Sequence, residues 1–270
     1  MRWEAWHWCT AGIAASLRLI RPELVVVGAL VAGIFADIFK RRALACGLAL
    51  AGLAGAGLLL TGQCCGAVPT GLAFQGAYAV DSFASSFKLL FLGAAIVVAV
   101  LSWPAIRSWE DGKGEYYTLL LSCTFGMMVM AGANDLLLMY LALEFVSITS
   151  YIMAGLLRKN RKSSEASLKY ILYGAAASGF MIYGMSYLYG MTGTLEVEEI
   201  GRRLGEANIP PTMALITSVL VMVGFGYKIA AAPFHMWCPD VYEGSPTPVA
   251  AFFSVGPKAA GFAMLARFLE

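Results

Sequence analysis

Eight apolar runs, each long enough to cross a bilayer, make up most of this sequence. Lipid leaves backbone N–H and C=O groups without outside partners, so a crossing segment must satisfy them internally. About 20 residues of α-helix suffice for a hydrocarbon core ~30 Å thick. The expected fold class is therefore all-α, a polytopic transmembrane helix bundle of about eight spans. The spans lie near Pro22–Phe39, Ala43–Thr61, Phe83–Trp103, Tyr116–Ala133, Asp135–Leu157, Glu165–Tyr189, a seventh from Pro211, and Thr247–Phe268. Only 13% of the 270 residues are charged, against ~25% in soluble domains. A net charge of +2, with no basic helix face, gives no footprint for nucleic acid.

Three charged side chains sit where this pattern should forbid them. Glu144, Lys228 and Lys258 lie inside the runs LLLMYLALEFVSITSYIMAGLL, ALITSVLVMVGFGYKIAAAP and VAAFFSVGPKAAGFAMLARF. An ionisable group at mid-membrane costs at least ~2.5–3.5 kcal/mol on insertion scales, and such groups mark ion paths or proton relays. Glu144 follows Asp135 by nine residues, which at ~1.5 Å per residue is ~14 Å into the membrane. Lys88 and Lys169 fall near segment ends, where snorkelling to the interface is expected.

Loop charges set an orientation. The connections after spans one, three and five hold Lys40, Arg41, Arg42, Arg107, Lys113, Arg158, Lys159, Arg161 and Lys162. The connection after span two has no basic residue, and the one after span six sets Arg202 and Arg203 among Glu196, Glu198, Glu199 and Glu206. This bias places the amino terminus outside and the basic loops in the cytoplasm or its equivalent. The leader MRWEAWHWCTAGIAAS is unlike a cleavable signal peptide. Its Trp3, Trp6 and Trp8 suit either a membrane interface or a poorly ordered leader. None of the six cysteines forms a C-x-x-C pair, which argues against a zinc or iron–sulfur site. Cys64 and Cys65 are loop neighbours whose chemistry the sequence leaves open. No phosphate-binding glycine pattern follows a strand-like run, so nucleotide is not expected to bind this chain.

The seventh segment is not a simple crossing. Pro211 to Ser245 is 35 residues, Pro233 follows Lys228 by five, and Pro239 lies further on. Proline lacks a backbone donor and breaks or kinks a helix. Two forms fit the spacing equally: a helix broken at membrane depth, or a full helix followed by an interfacial one.

The strings LALEFVSITSYIMAG, EASLKYILYGAAASGFMIYGMSYLYGMTGT and GFGYKIAAAPFHMWCPDVYEGSPTPVAAFFSVGPKAAGFA resemble the N subunit (chain 2) of proton-pumping NADH:quinone oxidoreductase, respiratory complex I. The likeness runs from about Pro22 to the end. It implies an antiporter-like proton-channel subunit built on two inverted repeats, each with a broken helix. Residues 1–115 would be the leader and first three helices, and 116–270 the first repeat. On that pattern Glu144 is the charged partner on helix five, Lys169 the lysine of helix six, Lys228 the lysine at the broken helix and Lys258 the central lysine of helix eight. The resemblance thus favours the broken form of the seventh segment. Pro257, directly before Lys258, departs from the pattern, where a small polar residue is the norm. The chain ends at Glu270 without a second repeat, as expected of an incomplete gene or a fragment, and a half-channel alone is not expected to pump.

The mechanism the resemblance implies is a Glu/Lys relay. Glu144 and Lys228 stabilise each other's charged forms when close; drawing Glu144 away lets Lys228 release its proton toward Lys258. His235, two residues past Pro233, suits either a place in the relay or a structural hydrogen bond. No cofactor is expected in this chain, with NADH, flavin, iron–sulfur clusters and quinone bound by partner subunits of the complex. The location implied is the cell inner, energy-transducing membrane. Two other readings stay open: a subunit of a multi-subunit cation/proton antiporter, and a membrane scaffold whose charges are structural pairs.

Overall fold

The computed structural model describes residues 12–39, 42–64, 70–109, 112–206 and 209–270. Trp3, Trp6, Trp8, Cys9, Cys65, Lys40 and Arg41, along with the side chains of Arg42 and Cys64, lie outside the described residues. Two short strands apart, the elements are helical. They are α1 (Gly12–Leu19), α2 (Arg21–Ile38), α3 (Arg42–Cys64), β1 (Gly71–Ala73), β2 (Tyr78–Val80), α4 (Ser82–Ser108) and α5 (Lys113–Gly132). There follow α6 (Leu136–Ala154), α7 (Arg161–Thr192), α8 (Val197–Glu206), α9 (Pro211–Ile229), α10 (Trp237–Gly244) and α11 (Thr247–Leu269).

Local chemistry explains most helix ends. Asp81 caps α4 by accepting from the Ala84 N–H at 2.7 Å, and Asp135 caps α6 by accepting from Leu137 and Leu138. Both satisfy donors that a helix start leaves orphaned. Asn160 does the same for α7, which ends on Gly193 at φ 69°, a left-handed conformation that glycine adopts without a Cβ clash. Proline opens α2, α9 and α11, where its missing N–H costs nothing.

Among the described residues, six helices are long and apolar enough to cross a membrane, namely α4, α6, α7, α9, α11 and the 43–63 stretch of α3. The pair α1 and α2, bent by 77°, makes a seventh if the two are one span. α5, the expected fourth span, is not among them. It is enclosed by α2, α3, α4, α6 and α11, and its buried face takes in Tyr116, Tyr117, Cys123 and Thr124. A helix that meets protein on nearly every side does not need a lipid-compatible surface. Exposed apolar side chains concentrate elsewhere, as with Leu168, Leu172 and Phe180 on α7 and Leu215 and Val219 on α9.

The connection after the second span forms an antiparallel hairpin, β1–β2, that covers one end of the bundle. Tyr78 of β2 lies against Gly132 at the end of α5, and β2 pairs with Ala133 through an isolated bridge from Tyr78. The hairpin overturns the expectation that Lys88 snorkels. Lys88 is 1% exposed and bonds Glu23 of α2 at 2.8 Å. The Tyr78 hydroxyl donates to the same carboxylate at 2.7 Å.

The seventh segment is broken. α9 ends at Ile229, Ala230 turns left-handed at φ 56°, and α10 begins at Trp237. Gly184 of α7 packs on Leu220 and Val221, Gly224 on Met181, and Gly174 faces Tyr227. α9 therefore runs antiparallel to α7 and stops level with Tyr170. α10 then continues along the first turns of α7, its Gly244 against Lys162 and Ala166. The Trp237 indole stacks on Tyr170 and donates at 3.2 Å to the carbonyl of Tyr227, which also accepts from the Ala230 N–H at 3.1 Å.

Candidate functional site

The break in α9–α10 brings together most of the charges singled out in the sequence. Lys228 is 2% exposed in the last turn of α9. Its Nζ donates to Ser147 Oγ of α6 at 3.0 Å. Glu144 stands one turn earlier on α6, on the same helix face because i and i+3 residues are neighbours. Its carboxylate accepts a hydrogen bond from Ser178 of α7. Among the described residues no Glu144–Lys228 ion pair of 4 Å or less forms, and each charge meets a serine hydroxyl. Each charge is held by a hydroxyl from a neighbouring helix, which satisfies it without a salt bridge.

α11 closes the other side. A Cβ at Gly261 would lie 3.1 Å from Lys228 Cγ, so the lysine stem passes over that glycine. Lys258 is three residues before Gly261 and therefore on the same face of α11. Its Nζ approaches Cys238 Sγ at 3.5 Å and lies 5.0 Å from the centre of the Tyr242 ring. Both partners belong to α10, so Lys258 holds the segment beyond the break through a weak sulfur acceptor and a cation–π contact.

Lys169 is not in the buried row. It is 38% exposed and ion-paired to Asp240 of α10 at 2.6 Å and to Glu165 at 3.0 Å. With Lys162–Glu243 at 2.8 Å, these pairs tie α10 to the first turns of α7 at the basic-loop end. His235 is exposed in the linker between α9 and α10, and its carbonyl accepts from the Cys238 N–H. Sequence reasoning missed Ser147, although its i+3 spacing from Glu144 on a polar face was a usable signal. Ser178 had none, because its role depends on how α7 crosses α6.

The NADH:quinone oxidoreductase/Mrp antiporter transmembrane family matches residues 133–270. The chain belongs to this family. Among curated relatives, NADH-quinone oxidoreductase subunit N of Anaeromyxobacter sp. (strain Fw109-5) is 45% identical over 264 residues, covering 93% of this chain and 50% of its own length. The subunit N of Trichlorobacter lovleyi is 42% identical over 258 residues, covering 94% of this chain and 52% of its own. The chain thus spans about half the length of the curated relatives it matches. Among solved structures, a chain of respiratory complex I from Thermus thermophilus superposes with TM-score 0.75 at 34% identity, over 91% of this chain and 52% of that one. A chain of an archaeal membrane-bound sulfane sulfur reductase shares the fold at TM-score 0.77 and 22% identity, over 93% of this chain and 52% of its own. Membership of the family makes this a multi-pass membrane protein, and the row from α6 through α9 to α11 lies wholly within the matched residues.

Proposed function

We propose that this chain carries the proton-channel repeat of a proton-translocating, antiporter-like subunit of NADH:quinone oxidoreductase. One observation carries the reading: Lys228, almost fully buried at a helix break, touches both the α6 face that bears Glu144 and the α11 face that bears Lys258. The subunit names of the relatives support the oxidoreductase over a cation/proton antiporter. The repeat corresponds to residues 116–270, with 1–115 as the leader and first three helices packed on it. The seventh segment is read as one transmembrane helix broken at membrane depth, and the whole as about eight spans.

In this mechanism the negative charge of Glu144 and the Ser147 hydroxyl together favour the ammonium form of Lys228. When Glu144 is neutralised or moves away, only a neutral acceptor remains. A lone cation in a low-dielectric core is costly, and Lys228 gives up its proton. The proton passes to the amine of Lys258, one turn away along α11, and from there toward the rest of the subunit. Charge transfer to Lys258 strengthens its hold on Tyr242, because only the charged amine is drawn to the ring face. The Lys169–Asp240 and Lys162–Glu243 pairs keep α10 in place from the far side. His235 is assigned a structural part in the linker. The driving energy comes from quinone reduction in partner subunits, which hold NADH, flavin, the iron–sulfur clusters and quinone. The membrane is the energy-transducing inner membrane, with the amino terminus outside and basic loops cytoplasmic by the positive-inside bias.

The test is Lys228→Ala in the complete subunit within its complex, with proton uptake followed in inverted membrane vesicles. Loss of pumping at normal subunit content supports the assignment, and pumping at the wild-type rate overturns it.

A further inference from the structure

A pair of tyrosine hydroxyls converges beside Lys228, outside the charges considered so far. Tyr151 of α6 is 8% exposed, and its hydroxyl is buried without a hydrogen-bond partner among the described residues. Tyr227, the residue before Lys228, is 4% exposed and donates to the Tyr170 carbonyl at 3.2 Å. Both hydroxyls point at Gly174 of α7. A Cβ there would lie 1.8 Å from Tyr151 Oη and 2.7 Å from Tyr227 Oη. The missing side chain at 174 is what lets the two oxygens share one spot.

The position of this spot gives it a direction. Glu144, Ser147 and Tyr151 occupy one face of α6 at spacings of three and four residues. Helical side chains lean toward the amino-terminal turn, so the Tyr151 ring reaches back over the turn that holds Ser147, the partner of Lys228. On the other side, Tyr170 follows Lys169 in sequence, and the Lys169–Asp240 pair is open to the surface at the basic-loop end. Ser167 adds a hydroxyl on that side, donating to the Tyr151 carbonyl at 2.8 Å. The hydroxyl pair therefore stands between an exposed ionic mouth and the buried lysine.

We propose that Tyr151 and Tyr227, converging over Gly174, form the relay through which protons reach Lys228 from the basic-loop side. This rests on the reading of Lys228 as a proton carrier. An incoming proton binds a lone pair of Tyr227 Oη, which swings its own O–H bond from the Tyr170 carbonyl to Tyr151 Oη. Tyr151 in turn releases its hydroxyl proton toward the neutral amine of Lys228, past Ser147. Each oxygen gains one proton as it loses another, so both tyrosines end neutral and the net change is one proton on Lys228.

The experiment is the double variant Tyr151→Phe and Tyr227→Phe in the complete subunit within its complex, alongside Lys228→Ala and Tyr173→Phe. Tyr173 is 49% exposed on α7 and serves as the control. Pumping in vesicles is measured against subunit content, in H2O and in D2O. The double variant is expected to assemble normally and pump about tenfold more slowly or worse, water only partly replacing the lost hydroxyls. Its H2O/D2O rate ratio should rise, which a packing defect would not produce, while Tyr173→Phe stays at wild type. Wild-type pumping by the double variant beside a dead Lys228→Ala overturns the relay alone. Wild-type pumping by Lys228→Ala overturns the underlying assignment. A slow double variant with an unchanged isotope ratio also overturns the relay, in favour of a packing role. Should the double variant fail to assemble, the two single variants carry the same test.

Discussion

The Glu23–Lys88 pair yields a prediction whose size follows from its surroundings. The charges approach to 2.8 Å, at 3% and 1% side-chain exposure. At an effective dielectric of ~20, two unit charges at that distance attract by ~6 kcal/mol, most of which offsets the desolvation of both ions. The pair as a whole therefore contributes little, but either member alone is expensive. Lys88→Met keeps most of the stem volume and leaves the Glu23 carboxylate with only the Tyr78 hydroxyl, so it should cost ~3–5 kcal/mol. Adding Glu23→Leu removes the stranded charge and should recover most of that loss. Unfolding free energies from SDS titration in mixed micelles give the comparison. The reasoning is refuted if Lys88→Met costs under ~1 kcal/mol, or if the double variant is as unstable as the single, since the pair would then not be desolvated as a unit.

Four shorter predictions follow from other contacts. Lys258→Ala should suppress pumping with assembly intact, and Lys258→Arg should fail too, since a guanidinium holds its proton too tightly to pass it on; vesicle pumping with subunit content measured checks both. Gly132→Ala would set a Cβ 2.4 Å from the Tyr78 ring, and overpacking of that kind costs ~1–3 kcal/mol, read by the same SDS titration. Lys169→Ala breaks pairs that are exposed and screened, so it should leave stability almost unchanged, with any small loss fading at high salt, in unfolding measurements across a salt series. Hydrogen bonds from Arg202 and Arg203 hold Glu199 of α8 down to about 2 from its ordinary 4.5. The stabilisation is present above the ordinary value and is lost as pH falls from about 4.5 through about 2. A spin label at Gly205 should therefore stay immobile at pH 5 and loosen only below about 4.

What the sequence made legible, and what it hid, divides along a physical line. Helices were readable because each apolar run carries its own reason to be helical in lipid. The break was readable because Pro233 removes a donor wherever it stands. Side-chain partners across helices were not, because they depend on crossing geometry that no local pattern encodes. Lys88 stands six residues into α4, near enough to an end that snorkelling was the economical expectation. The β1–β2 hairpin, which read only as a long connection, covers that end and supplies Tyr78. Glu144 and Lys228 carry the expectation of salt-bridge or one-water separation, but which groups meet each charge is not written along the chain. Ser147 and Ser178 satisfy them separately. The Tyr151–Tyr227 convergence hinges on Gly174, one glycine among 29 in the sequence, and nothing along the chain marks it.

The enclosure of α5 bears on how the chain is threaded into the bilayer during synthesis. Gly114, near its start, packs on Asp37 at the end of α2, while Gly132 meets Tyr78 at the opposite end of the bundle. α5 therefore traverses the full height, though its own apolarity falls short of what the other crossing helices offer. An insertion apparatus that samples segments singly by transfer free energy would hold it weakly. Its passage must then be secured by the strongly apolar α4 before it and α6 after it, entering as a cooperative hairpin whose polar groups find protein partners. If α5 stayed behind on one side, every later segment would be laid down upside down. The basic connection between α6 and α7 would then face the side opposite the basic connection between α4 and α5, against the charge bias of the sequence.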